Sequence, residues 1–597
     1  MCSAISNLSV PRSDIDLFSP AALANPYPYY SLLREIGSAV YLERLDAWAL
    51  TRHDAVRKAL ADWRTFSSTD GVSLNEATNA ATSSSPLSAD PPRHSTPRRI
   101  LTEHLSPMAV RAKASAITEI AESACEQVVA QGAFDAVFDL ARPYFMSAIG
   151  DHLGLSAELS THLIECAEAS FDVMGPEGER TRGARIRMGE LGVALLRATS
   201  RENLSTNAAG QAIYEAGDSG KITPAQAGQL AAIYLLASLP TSAAALSSAV
   251  WLLAHHPLQW EALRETPELV PAAVDEVLRL ESPIKFFTRV LRAPYELDGV
   301  SLPAGARVLL LFGSANRDER VWERASAFDI TRQGDADHLA FGHGLHSCSG
   351  QGLARMQLAA MLTALTRRVT KWTAGEARWK PNNVLRGLDS FPVAVNGRGR
   401  PAPPSVPSEP RISPATQITD WRVIGAIHIA KLGQSVALPP EARFRGAFNM
   451  TDGKMDGAME LPRATSLVKV LGIAVGTTSQ MIPEGGFDGD VSINPDGTIS
   501  MRATSRARMH IQALHVGRLR IPLNCRTVTP IEMPLESSGT MSLDFRPSFS
   551  GTMTIPRFRG SGPIGPLLSR LVSGPGNSFE IALRLESDPL EETTGAA

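Results

Sequence analysis

Two hydrophobic periods divide the chain. Through the first 395 residues, apolar positions recur every three or four residues, as in "AVRAKASAITEIAESACEQVVAQG", "TPAQAGQLAAIYLLA" and "TPELVPAAVDEVLRL". This spacing, often opened by a Ser or Thr cap, predicts amphipathic helices. Short strand-like pieces such as "YELDGVSLPAGARVLLLF" lie between them. From residue 417 the period falls to two, in "FDGDVSINPDGTISMRATS", "RMHIQALHVGRLRIPL" and "SSGTMSLDFRPSFSGTMTIPRF". Alternation broken by Gly-rich turns predicts strands joined by hairpins. The segment between, residues 396–416, is "NGRGRPAPPSVPSEPRISPAT" and reads as an extended linker. The expected organisation is a mainly α domain with small β-sheets over 1–395, the linker, and a separate all-β sandwich or barrel over 417–597.

One helical stretch breaks its own rule. "YLLASLPTSAAALSSAVWLLAHHP", Tyr234 to Pro257, has Pro240 in its interior. Proline removes the amide donor to the Leu236 carbonyl and clashes with it, at a cost of about 3 kcal/mol or more. A local opening of the helix is expected there.

Composition excludes several classes. With 597 residues, 44% hydrophobic, and a net charge of −3, the chain is globular with room for two or more domains. That balance gives no reason to expect nucleic acid, and Arg502, Arg506, Arg508, Arg518 and Arg520 are read as a solvated strand face. The five cysteines lie far apart without a CxxC pair, which argues against a disulfide framework, a zinc site or a four-cysteine cluster. Cys125, Cys166 and Cys525 are expected to be small buried hydrophobes. No basic-then-apolar leader opens the sequence, and no apolar run free of polar breaks makes an integral membrane segment, so a cytoplasmic protein is expected.

The strongest chemical signal is "FGHGLHSCSGQGLAR", Phe341 to Arg355. Gly342, Gly344 and Gly350 permit a tight loop that can approach a flat ligand closely. Cys348 precedes a helical pattern, where amides and dipole favour a thiolate. The segment resembles the cysteine loop of cytochromes P450, FGxGxHxCxG, at every fixed position. That resemblance implies haem b held through Cys348, with Phe341 beside the sulfur and His346 at a propionate. An anionic sulfur pushes electron density onto iron and favours oxygen cleavage.

Other segments agree with it in order. "EVLR" places Glu276 and Arg279 one turn apart, like the family's ExxR pair, and "SANRDERVW" supplies Asn316, Arg317 and Asp318, similar to the meander that closes on it. "ADPPRHSTPRRIL" resembles the segment in which His94 and Arg98 bind a propionate, and Arg289 in "FFTRVL" is the expected partner of another. The likeness spans about Asp14 to Val395, and it is closest to bacterial members that oxidise para-substituted aromatic acids.

The expected pocket departs from those relatives. Alignment back from "ADPP" puts Ala81 and Ser84 where they carry an Arg and a Ser for the substrate carboxylate, and Leu236 replaces a helix Ser beside Ala237. A carboxylate desolvated without a cation is unfavourable, so a neutral, apolar or aromatic substrate is expected. The family's AGxDT reads here as "ASLPT", which keeps Thr241 as the alcohol of the oxygen site but puts Pro240 in place of the proton-relaying acid. Ordered water, Ser238 or Ser242 is then expected to carry protons, with slower turnover or leakage of peroxide. A peroxide-using enzyme, or an altered haem-dependent sensor with the β domain as output, remains open beside a monooxygenase that hydroxylates or O-dealkylates.

After the linker no Gly-rich strand-to-helix turn for a dinucleotide appears, and one cysteine cannot hold a cluster. The resemblance therefore implies external NAD(P)H electrons through ferredoxin and ferredoxin reductase. "RIPLNCRTVTPIEMPLES" and "PIGPLLSRLVSGPGNSFEIALRL" resemble β-sandwich domains of secreted actinobacterial proteins, with Ser561 where a second cysteine is expected.

Overall fold

The computed structural model describes residues 10–155, 163–206, 208–332, 337–397, 417–449, 454–470, 473–484, 487–493, 498–516, 519–540 and 548–584. It separates into two compact units, Met1–Pro410 and Arg411–Ala597. The expected linker lies, after Gly397, outside the described residues.

The first unit is helical. The helices that position the site are α1 (Ser95–Glu103), α2 (Ala114–Gln131), α3 (Arg142–Leu153), α4 (Leu163–Asp172), α5 (Pro224–His255), α6 (Val270–Leu280) and α7 (Gln351–Arg368). The 32-residue α5 is opened by a capping box, in which Thr223 and Gln226 satisfy each other's backbone amides, and by Pro224 in the first turn. It packs against α3, α4, α6 and α7. Among the described residues α5 is the one helix long and apolar enough to cross a membrane, and 78% of its most apolar stretch is buried within this unit.

A mixed six-stranded sheet flanks the helices. Its strands are β1 (Arg12–Ser13), β2 (Ala39–Leu42), β3 (Ala47–Leu50), β4 (Phe66–Ser67), β5 (Phe286–Leu291) and β6 (Arg307–Leu311), in the order β1-β2-β3-β6-β5-β4. β3 is buried at every position, as expected of a strand covered on both faces. Cys125 and Cys166 are buried, and burial pushes both thiols up to about 12.

The second unit is antiparallel. Its longer strands are β7 (Gln417–Ile429), β8 (Arg443–Asn449), β9 (Lys454–Glu460), β10 (Ala464–Val470), β11 (Ile473–Pro483), β12 (Phe487–Ile493), β13 (Thr498–Val516), β14 (Leu519–Thr527), β15 (Ile531–Thr540), β16 (Ser548–Ile555) and β17 (Gly574–Arg584). Pairing runs β13-β15-β16-β17-β7-β8-β9-β12 and returns to β13, so eight strands close into a barrel. Closure removes the edges that an open sheet must protect. The far half of the 19-residue β13 leaves the ring and pairs with β11 and β14.

Residues 501–507 alternate buried and exposed without exception, which puts Met501, Ala503, Ser505 and Ala507 inside. Cys525 belongs to the same buried core as Trp421, Phe444 and Phe579. The arginines stand on the outer face beside carboxylates: Arg502 is 3.5 Å from Glu536, Arg506 3.1 Å from Glu532, and Arg508 is bonded to Glu484. Arg518 lies outside the described residues.

Candidate active site

The Cys348 loop is shaped by two left-handed glycines. Gly342 has φ +68° and Gly344 +69°, and a Cβ on Gly344 would come within 2.6 Å of the Leu60 carbonyl oxygen. The Cys348 amide donates to the Phe341 carbonyl at 2.8 Å. Gly350 is the residue before α7, and the amides of Gly350 and Gln351 donate to the sulfur. Burial pushes the Cys348 thiol up, while those amides and the Arg98 and Arg355 guanidiniums pull it back towards the thiolate. Unlike Cys125, Cys166 and Cys525, Cys348 keeps exposed surface.

Arg355 locks this loop from behind. Its guanidinium lies 4.6 Å from the centre of the Phe341 ring, and Nε donates to Asp275 on α6 at 2.7 Å. His338 Nε2 is 3.2 Å from the same carboxylate.

Basic and aromatic nitrogens converge on the loop. Arg98, on α1, donates to the carbonyl of Ser347. His94 packs edge-on against His346, ring centres 4.7 Å apart. His346 Nε2 is 3.3 Å from Ser68 Oγ and 3.6 Å from Asp90, so its partners on this side are Ser68 and Asp90. Burial pushes His94 down to about 4, and the neighbouring His346 and Arg98 charges add to it.

Arg289 on β5 is 3% exposed, and the one hydrogen bond of its guanidinium among the described residues goes to the Thr288 carbonyl at 2.7 Å. Burial lowers it to about 10. A guanidinium so poorly compensated is costly, and an anionic ligand relieves that cost.

Across the loop, α5 presents one exposed stripe. Ala237 and Thr241 are four residues apart on it, and the buried Tyr234 precedes them on the same side. Ala237 is exposed and Thr241 half-buried, although Leu236, Leu239, Pro240 and Ser242 beside them are buried. Thr241 Oγ1 donates to the Ala237 carbonyl at 2.8 Å, and Ser238 Oγ to the Tyr234 carbonyl at 2.7 Å.

The expected opening at Pro240 is smaller than foreseen, because α5 runs unbroken across it. The loss is confined to one missing donor, and packing on several helices holds the turn in place. Pro240, about 100° around the helix from Thr241, lines a separate narrow recess with Arg142, Glu168, Lys380 and Ser247.

Beneath the loop Glu276 and Arg279 form a buried pair. Arg279 Nε and Nη2 donate to the Glu276 carboxylate at 2.7 and 2.8 Å, and Nη1 donates to the carbonyls of Asn316 (2.8 Å) and Ala325 (2.7 Å). Asn316 Oδ1 accepts the Leu339 amide at 2.6 Å, which ties the meander to the chain entering the Cys348 loop. Arg317 pairs instead with Glu281 at 2.8 Å.

Sequence reasoning missed Arg332, which donates to Glu276 at 3.1 Å, and Asp90, Asp275 and Arg355. Asp90 and Arg355 lie within the propionate and cysteine-loop segments and Asp275 directly precedes the EVLR motif, whereas Arg332 gave no local signal. Ser84 is exposed, and its hydroxyl donates to Gln229 of α5 at 3.0 Å, so it braces the loop against the helix.

Taken together, an accessible amide-supported sulfur, a poorly compensated buried arginine with His94 and Arg98, and an exposed helix stripe suit a flat metal macrocycle bearing carboxylates. These residues fit haem.

Residues 198–371 match the family model described as Cytochrome P450. Cytochrome p450 CYP199A2 of Rhodopseudomonas palustris is 35% identical over 391 residues, covering 65% of this chain and 95% of that protein. The beta-dihydromenaquinone-9 omega-hydroxylase of Mycobacterium bovis is 30% identical over 404 residues, covering 65% and 80%. Among solved structures, P450BioI in complex with an acyl carrier protein ligated to hexadec-9Z-enoic acid aligns with TM-score 0.58 and 26% identity over 63% of this chain and all of that one. Cytochrome P450 CREJ in complex with (4-ethylphenyl) dihydrogen phosphate aligns with TM-score 0.56 and 29% identity over 63% and 98%. The sulfur loop, the Glu276–Arg279 pair and these likenesses agree: the chain belongs to the cytochrome P450 family and is a P450 monooxygenase.

Proposed function

We propose that this monooxygenase acts on a neutral, apolar or aromatic small molecule, by hydroxylation or O-dealkylation. Haem b, when bound, supplies the activation of dioxygen and the insertion of one oxygen atom into the substrate. Cys348 is the ligand to its iron, and His94, Arg98, Arg289 and His346 are the partners for its propionates. Phe341 and Arg355 pack on each other beside the sulfur loop. Electrons come from NAD(P)H through an external ferredoxin and ferredoxin reductase.

Thr241 is the alcohol of the oxygen side. Its proton is committed to the Ala237 carbonyl, which leaves the oxygen lone pairs to accept a hydrogen bond on the exposed stripe. Ser238 is likewise turned back onto α5 and Ser242 is buried, so neither hydroxyl faces the stripe as a ready donor.

The observation that carries the substrate reading is the chemistry at the positions that would hold a substrate carboxylate. Positions 81 and 236 are Ala and Leu, and the Ser84 hydroxyl is already spent on Gln229. A carboxylate entering there would lose water without gaining a cation. The menaquinone hydroxylase, by its name, shows a relative acting on a quinone.

The test is a panel of neutral aromatics, terpenoids and benzoates, read by the substrate-induced shift of the ferric spectrum. Saturable shifts with neutral compounds support the reading, and tight benzoate binding overturns it. A carbon monoxide difference spectrum of the reduced protein checks Cys348 ligation independently.

A further inference from the structure

Twelve buried side-chain nitrogen and oxygen atoms lack a partner among the described residues, and three of them belong to one contact. His152, at the end of α3, and Tyr234, on α5, stack with ring centres 5.7 Å apart and planes at 20°. His152 is 5% and Tyr234 8% exposed. Both ring nitrogens of His152 and the hydroxyl of Tyr234 are unpartnered. A buried polar group without a partner is destabilising, and native structures satisfy such groups with ordered water.

The chemistry of the pair is complementary. Burial pushes His152 down to about 4, helped by Lys113 and His104 and opposed by Asp151, so the imidazole is neutral and offers one donor and one acceptor. Tyr234 remains a phenol, because burial first and the Cys348 thiolate second push its hydroxyl up. Stacked rings cannot bond each other edge to edge, whereas a water beside them reaches both edges.

The pair also has direction. On one side Asp151, adjacent in sequence to His152, pairs with Lys113 at 3.4 Å, and both are well exposed. On the other, Tyr234 lies seven residues before Thr241 on α5, two helical turns away on the same face.

We propose that His152 and Tyr234 hold a buried water and form with it a hydrogen-bonded proton path from the Lys113–Asp151 surface to the Thr241 face of α5. Each proton that enters at His152 is matched by one leaving through Tyr234, so neither side chain changes its resting state. The path rests on the monooxygenase reading and supplies the protons for which Pro240 provides no acid.

The test uses the full-length haem protein with Tyr234→Phe, which keeps the ring and removes the hydroxyl. A bridged hydroxyl predicts a melting temperature lowered by about 2 °C and a product-to-peroxide ratio lowered about tenfold, within the reach of lost acid–base assistance. A melting temperature that holds or rises overturns the water, since deleting a dry orphan hydroxyl is neutral or stabilising. A lowered melting temperature with an unchanged ratio overturns the path.

Should the variant not fold, a crystal structure of the unaltered chain decides the matter. An ordered water within hydrogen-bonding distance of Tyr234 Oη and a His152 nitrogen supports the proposal, and direct van der Waals closure there overturns it. The carbon monoxide spectrum reports separately on whether the monooxygenase reading holds.

Discussion

Arg355 stacks on Phe341 at 4.6 Å while its Nε donates to Asp275 at 2.7 Å, so one side chain joins the cysteine loop to α6. Both charged partners are more than a third exposed, so their ion pair adds less than about 1 kcal/mol to stability. The guanidinium matters more to the sulfur, which it draws towards the thiolate. Arg355→Met is therefore expected to leave the melting temperature nearly unchanged. A larger fraction of the reduced protein should lose the thiolate band in carbon monoxide spectra. An unaltered band would show that the amides of Gly350 and Gln351 suffice.

Glu276 presents the opposite case. It is buried and accepts from Arg279 at 2.7 Å and Arg332 at 3.1 Å. Removing one partner of such a pair leaves uncompensated charge and costs about 3–5 kcal/mol. Glu276→Gln strands two guanidiniums, so thermal denaturation should show a large loss. Arg332→Lys keeps a cation beside Glu276 at a side chain less buried than Arg279, and should lose much less.

Legibility followed distance along the chain. Cys348, the Glu276–Arg279 pair and the His94–Arg98 spacing were readable because each is a local pattern with its own chemistry. Asp275 with Arg355 and Glu276 with Arg332 join residues 80 and 56 positions apart, so no local spacing reports them. Alternation predicted strands after residue 417. It could not show whether they form a sandwich or a barrel, because closure depends on β13 pairing with β12 on one edge and β15 on the other. At Ser84, ungapped alignment placed the residue but not its hydroxyl, which Gln229 had captured.

His152 should govern part of the acid sensitivity. Its native value of about 4 lies below the ordinary 6.5, so the folded protein holds the neutral ring and the unfolded chain binds the extra proton. The stabilisation is fully present above pH 6.5 and is lost as pH falls towards 4, to the extent of about 3 kcal/mol. Melting temperatures of the wild-type protein should decline across that window, and His152→Leu should flatten the decline. An equal slope in both proteins would place the acid sensitivity elsewhere.

Pro240 separates two effects that one substitution alone would confound. Pro240→Ala restores the amide donor to Leu236 and removes the ring clash, and should stabilise α5 by up to about 3 kcal/mol. It adds no acid, so the product-to-peroxide ratio should stay where it is. Pro240→Asp restores the donor and also places a carboxylate in the recess lined by Arg142 and Lys380. Glu168 already engages both cations, with Arg142 at 2.9 Å, so the new carboxylate enters an occupied ion-pair network rather than an apolar wall. The ratio should rise in Pro240→Asp alone, because it alone adds a titratable acid one residue from Thr241. If both variants shift it equally, the proline acts through the backbone, and the missing acid has no part in coupling.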